Sequence, residues 1–222
     1  MTDRRPTRHR HPERRAFGLG GAAVRRRIQD RGGIRFSTGR YLPMAPLYLV
    51  IGPPAVGKST TSRALAARFD KSIHVPVDDL RHMVVSGLAL PAAEWSDALT
   101  EQVALARDSA IAMAVRYNDA GFTVVLDDFV DFHKDEEYRA LVDRPEFHRI
   151  LLWPEKNEAH HRNLRRAGAS SVRHYIDEGI SLVYENVTQY LGELGQEGWI
   201  IIDNTDLSVE LTVARIMEAT LT

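Results

Sequence analysis

Leu47-Tyr48-Leu49-Val50-Ile51-Gly52-Pro53-Pro54-Ala55-Val56-Gly57-Lys58-Ser59 runs from five apolar residues into a glycine-bounded loop that ends on a lysine and a hydroxyl. A short continuous apolar run closed by Gly and Pro is the pattern of a parallel strand buried on both faces. Helix signals follow over residues 58–69. The eight residues from Gly52 to Ser59 fit G-x-x-x-x-G-K-[ST] in the strand-to-helix setting that gives the pattern its meaning. The spacing has a chemical reason. Glycines let the main chain approach a phosphate, successive backbone N–H groups wrap it, and the following helix N-terminus adds a favourable dipole. Gly52, Pro53, Pro54, Ala55, Val56 and Gly57 are therefore expected to cradle a nucleotide. Lys58 would neutralise its β- and γ-phosphates and act in catalysis, Ser59 would place its hydroxyl on Mg²⁺, and Thr60 would touch the α-phosphate.

Outward from this loop, strand-like and helix-like runs alternate. Strands are expected at 73–77, 122–126, 149–153 and Trp199–Ile202, with helices from about Asp79, over 94–118, 155–166 and 172–191, and from Leu207 to the end. In the 94–118 helix, Leu99, Val103, Ala106, Ala110, Met113 and Ala114 recur at helical spacing. Such alternation predicts an α/β fold, a parallel sheet with helices on both faces.

Composition sets further bounds. The chain has 222 residues, 44% hydrophobic and 27% charged, and lacks cysteine. Disulfides, thiol nucleophiles and Cys-based metal centres are thereby excluded. No apolar run approaches 18 residues, so no membrane span is expected. The formal net charge of −1 conceals two unlike parts. Residues 1–43 hold 12 Arg against Asp3, Glu13 and Asp30, a balance of +9, whereas residues 44–222 hold 17 Lys+Arg against 27 Asp+Glu, a balance of −10. The first segment lacks any period that could build a core and is read as a disordered basic extension. Arg14-Arg15 faintly resembles an export signal, but Arg25-Arg26-Arg27 breaks the apolar stretch behind it, and a cytoplasmic protein is expected. Met44, directly before the first strand, is an alternative translation start. Residues 44–222 are read as one domain.

Three clusters bear on chemistry. Asp78 and Asp79, after the second strand, face the crevice where ligands bind in open α/β sheets. Asp78 is read as the general base that takes a proton from an attacking hydroxyl, with Arg81 holding the substrate beside it. Asp127 and Asp128 end the third strand. Position favours Asp127 for Mg²⁺ and Asp128 for the substrate, and the sequence leaves their relative roles open. Arg162 and Arg166, one helical turn apart, would repel each other unless an anion lay between them, as in a lid closing over transferring phosphates. In the long helix Trp95, Gln102 and Arg107 are weaker candidates. Gln102 is assigned to the substrate pocket, while Trp95 reads as packing and Arg107 as a solvated charge.

Together, residues 52–59, Val77-Asp78-Asp79-Leu80-Arg81, the Arg162-Asn163-x-x-Arg166 segment and Ile202-Asp203-Asn204-Thr205 resemble the small P-loop kinases of the AAA_33 type. That group is similar to the kinase domain of phage polynucleotide kinase, the zeta toxins and chloramphenicol phosphotransferase. The resemblance implies a three-layer P-loop NTPase fold with sheet order 2-3-1-4-5. It also implies Asp78 as base, Asp79 and Arg81 at the substrate, Arg162 and Arg166 as lid arginines, and Asn204 and Thr205 near the adenine. Val77 stands where polynucleotide kinases carry Arg, and Asp127-Asp128-Phe129-Val130 follows chloramphenicol phosphotransferase more closely.

The leading expectation is an ATP- and Mg²⁺-dependent kinase acting on a hydroxyl of a small-molecule acceptor. A 5′-hydroxyl polynucleotide kinase-like enzyme is the second reading, set back by the acidic body, and a non-catalytic ATP-binding switch is the third. The oligomeric state is not legible.

Overall fold

A computed structural model describes residues 45–90, 96–129, 137–167 and 171–221. The basic segment 1–43, Glu94, Trp95 and Val130 lie outside them. Among the described residues, no helix is long and apolar enough to cross a membrane.

Five parallel strands form one sheet in the order β2-β3-β1-β4-β5. They are β1 (Leu47–Ile51), β2 (Ser72–Pro76), β3 (Thr123–Asp127), β4 (Phe147–Leu152) and β5 (Trp199–Ile202). Helices α1 (Lys58–Ala66), α2 (Val77–His82), α3 (Asp97–Asp119), α4 (Arg139–Val142), α5 (Lys156–Ala167), α6 (Ser171–Val187), α7 (Leu191–Gln196) and α8 (Val209–Thr220) connect or follow the strands. This is the expected P-loop NTPase-like fold, in the expected strand order.

β1 lies between β3 and β4 and is buried along its whole length. Alternate side chains of a strand point to opposite faces, and the core divides accordingly. Leu47, Leu49 and Ile51 join Ala106, Ala110 and Ala114 of α3 and Leu194 of α7 on one face. Tyr48 and Val50 join Leu65 of α1, Ala159 of α5, Ile180 of α6 and Val213 and Ile216 of α8 on the other. Both faces are covered, which explains why the strands read as continuous apolar runs rather than alternating ones.

One boundary moves in a way that matters. The expected second strand reached Val77, with the helix starting near Asp79. Instead β2 ends at Pro76, which caps α2 in extended conformation. Pro fixes its own φ and suits a helix start. Asp78 and Asp79 consequently lie in the first turn of α2, where carboxylates complement the helix dipole. The expected 172–191 helix is likewise divided, with a short 3₁₀ turn at Thr188–Tyr190 separating α6 from α7.

Candidate active site

The loop between β1 and α1 holds two residues in the left-handed region. Gly57 (φ 96°) caps α1, and Ala55 (φ 63°) is the one non-glycine residue with positive φ among the described residues. A side chain in that conformation costs roughly 1 kcal/mol, a strain kept where backbone N–H groups must turn inward. Gly52 is required for space: a Cβ there would stand 2.5 Å from the Leu152 carbonyl oxygen at the end of β4.

Lys58 folds back over this loop and donates to the carbonyls of Gly52 (3.0 Å) and Pro53 (2.9 Å). Burial lowers its ammonium from the usual lysine value, the Arg166 charge pushes the same way, and Asp127, Asp78 and Asp128 oppose both. One carboxylate from the first turn of α2 and two from the end of β3 and the residue after it thus act on one lysine.

Ser59 and Asp127 meet directly. The Ser59 hydroxyl donates to Asp127 Oδ1 at 3.0 Å, and His74 of β2 meets Oδ2. A hydroxyl and a carboxylate beside a phosphate loop form an all-oxygen set of the kind Mg²⁺ accepts together with substrate phosphates, so the residues fit that ion.

Asp128 is placed differently. It is 2% exposed and accepts from Arg107 Nε (2.6 Å), the Tyr138 hydroxyl and the Phe129 N–H (2.8 Å). Burial raises its carboxyl, against Arg107 and Tyr138, which favour the charged form. Arg107, read from the sequence as a solvated charge, is 1% exposed. It also donates to Glu137 Oε2 at 2.8 Å and lies 4.5 Å from the Phe129 ring centre. The reason for this correction is tertiary, since Asp128 neutralises the guanidinium from 21 residues away. Arg107 falls on the apolar stripe of α3, four after Val103 and three before Ala110, and a charge in that phase was the available signal.

Asp78 and Asp79 are exposed, whereas Arg81 is 6% exposed and donates to the Ala89 carbonyl at 2.8 Å. Gln102 donates to the Gly87 carbonyl and accepts from the Ala89 N–H, so Arg81 and Gln102 together fasten the 87–89 loop. Above them runs α6. A Cβ at Gly179 would lie 3.6 Å from the Pro54 ring, and Tyr175, one turn earlier, feels the charges of Arg81 and Asp78.

Arg162 is gripped from three sides. Its Nε donates to Glu158 (2.8 Å), Nη1 to the Val56 carbonyl (3.0 Å), and Nη2 to the carbonyls of Asn204 (2.7 Å) and Thr205 (3.0 Å). Asn204 Nδ2 donates to the same Val56 carbonyl at 3.1 Å. Glu158 accepts from Arg165 too, and although partial burial works against its charge, the two arginines hold its carboxyl below the usual range. The anion beside Arg162 is thus a residue of its own helix, which the sequence reading passed over. Arg166 is exposed. Beside these groups opens a cleft of about 540 Å³ lined by Val56, Thr60, Arg162, Asn204, Thr205 and Thr212, within the range of small-ligand sites.

The sequence profile of a family described as AAA domain (AAA_33) matches residues 47–180. Solved structures share the fold. Deinococcus radiodurans tunicamycin resistance protein is similar at 19% identity and TM-score 0.54, over 79% of this chain and 95% of that one. A shikimate kinase from Acinetobacter baumannii in complex with shikimate is similar at 13% identity and TM-score 0.57, over 80% and 93%. A sugar kinase from Janibacter sp. is similar at 16% identity and TM-score 0.54, over 80% and 94%. A search of curated proteins returns no match.

Proposed function

This chain belongs to the AAA_33 (AAA domain) family, and on that premise we propose that it is an ATP-dependent phosphotransferase acting on a hydroxyl of a small-molecule acceptor. The observation that carries the reading is the loop itself, with Lys58 folded over the carbonyls of Gly52 and Pro53 and Ser59 bonded to Asp127. One carboxylate serves the ion, one serves the proton, and one is locked in the protein.

Residues 52–57 and Lys58 hold the phosphates. Ser59 and Asp127 would hold Mg²⁺, and that ion would supply charge neutralisation to the phosphates. The cleft at Thr60, Asn204 and Thr205 takes the nucleoside. Asp78 accepts the proton of the acceptor hydroxyl as the new O–P bond forms and the bond between the γ-phosphorus and its bridging oxygen breaks to leave ADP. Arg166, exposed and within electrostatic reach of Lys58, answers the charge spread over the transferring group. Asp79 stands beside the base to meet the acceptor. Arg81, Gln102 and Asp128 shape the acceptor side by fixing the loops around it, and Arg162 by fixing the phosphate loop.

An uncharged acceptor is favoured over a nucleic-acid 5′ end. The arginine that would hold a backbone phosphate, Arg81, is buried and donates to Ala89. The need for ATP supports a cytoplasmic location.

The test is ADP release from Mg-ATP across a panel of hydroxylated small molecules and 5′-hydroxyl oligonucleotides. D78N is expected to bind ATP normally and to lose transfer by roughly 10²- to 10⁴-fold, the span attributed to a positioned proton acceptor. Undiminished transfer by D78N would reject the assignment of the base, and labelling of oligonucleotides alone would reject the acceptor class.

A further inference from the structure

Asp127 is held on both oxygens, and the second contact comes from a residue outside the phosphate-loop pattern. The parallel register sets Pro76 of β2 opposite Asp127 and His74 opposite Val125. Residues two apart on a strand share a face, so His74 is the diagonal neighbour of Asp127 on that face. A ring side chain is long enough to cross to a diagonal neighbour on the adjacent strand. Pro76, directly opposite, has no side-chain donor. His74 Nε2 therefore meets Oδ2 while Ser59 takes Oδ1. A carboxylate only accepts, so Nε2 carries the hydrogen. The two side chains are 11% and 6% exposed, which leaves water little chance to replace the ring.

We propose that His74 is a positioning residue of the Mg-nucleotide site: it fixes Oδ2 of Asp127 and thereby leaves Oδ1 as the oxygen turned toward Ser59 and the ion. A carboxylate on a single rotatable bond has two equivalent oxygens, and the Ser59 hydroxyl alone does not choose between them. Without the ring, Oδ2 is unheld and the carboxylate is free to turn about that bond. The ion then loses an oriented oxygen. Partners that orient a metal-binding carboxylate from behind are typically worth 10- to 100-fold in metal affinity.

The inference rests on the reading of residues 52–59 as a Mg-nucleotide site, and the experiment separates the two. ADP is titrated calorimetrically into the full chain with and without Mg²⁺, and Mn²⁺ binding to the ADP complex is followed by electron paramagnetic resonance. The wild type is expected to gain affinity for ADP from the metal. In H74A that gain falls roughly 10- to 100-fold while ADP alone binds within about twofold of wild type. H74Q, which keeps an N–H donor at comparable reach, restores most of the gain. Should H74A fail to fold, H74N, too short to span the diagonal, is compared with H74Q instead. An undiminished metal gain in H74A overturns the proposal. So does an equal loss with and without metal, which would make His74 a packing residue. A wild type that binds no nucleotide rejects the phosphotransferase reading itself, and the role of His74 with it.

Discussion

Arg107 donates from Nε to Asp128 Oδ2 across 2.6 Å, and neither side chain is more than 1% exposed. The pair joins the middle of α3 to the residue after β3, next to the carboxylate that meets Ser59. The Tyr138 hydroxyl donates to the same Asp128 oxygen and completes the cluster. A charge pair this deep pays its desolvation only while both members are present. Its evident use is placement: three donors on one buried carboxylate leave the chain at Asp128 a single direction, and Asp127 precedes it.

Removing one member should therefore cost far more than removing both. R107A is expected to lose about 3–5 kcal/mol of unfolding free energy, the usual consequence of leaving a buried charge uncompensated. R107M combined with D128L should lose much less. Urea unfolding of the two variants checks this. An R107A loss under about 1 kcal/mol would mean that water replaces the guanidinium.

The fold was legible because its signals are local. Five apolar runs, each followed by a helical period, are enough to predict a parallel sheet with helices on both faces, and the loop at residues 52–59 carries its own pattern. Boundaries failed where one residue decides, as at Pro76, whose fixed φ starts α2 two residues before the place expected. The partners of the site were less legible because they are tertiary. His74 reaches Asp127 only through strand register, Glu158 answers Arg162 within a helix that reads as basic, and Arg107 finds its anion 21 residues away. A single residue's chemistry is written in the chain, but which neighbour completes it depends on the sheet.

Arg162 ties the phosphate loop to the segment after β5 through carbonyls of Val56, Asn204 and Thr205. Lysine offers a point charge without the planar fork and cannot serve these acceptors together. R162K and R162A should both loosen the loop, R162A by about 2–3 kcal/mol of stability, in line with charged hydrogen bonds. Nucleotide affinity should fall with it, by about tenfold for each 1.4 kcal/mol that binding loses. Denaturant unfolding and ADP titration measure the two. Unchanged stability with a selective loss of turnover would instead favour a mobile lid role for Arg162.

Gly52 faces the Leu152 carbonyl so closely that a methyl group must displace either the loop or the end of β4. Neither is soft, since β4 pairs with β1 and β5 on its two sides. G52A is expected to destabilise the chain by about 1–3 kcal/mol, the range for forced overpacking. It should also abolish detectable ADP binding, because the displaced backbone is the one that wraps the phosphates. Binding at wild-type affinity would show that the loop tolerates the shift.

Asp177 gives the clearest pH signature. It accepts from Asn163 and His160 of α5 at 2.9 Å each and meets Arg173 at 3.5 Å, fastening α5 to α6. The Asn163 bond, then His160, then Arg173 hold its carboxyl below the usual 3.8, against a small opposing effect of burial. A carboxyl depressed on folding binds its proton less tightly in the folded chain. Its contribution is therefore complete above the unfolded value and is lost as pH falls through the folded one. D177N should melt below wild type by a constant interval at and above about pH 5, with the curves converging below about pH 4. Melting temperatures across that range decide it. A gap that stays constant from about pH 7 to below about pH 3 would rule out the carboxylate charge as its source.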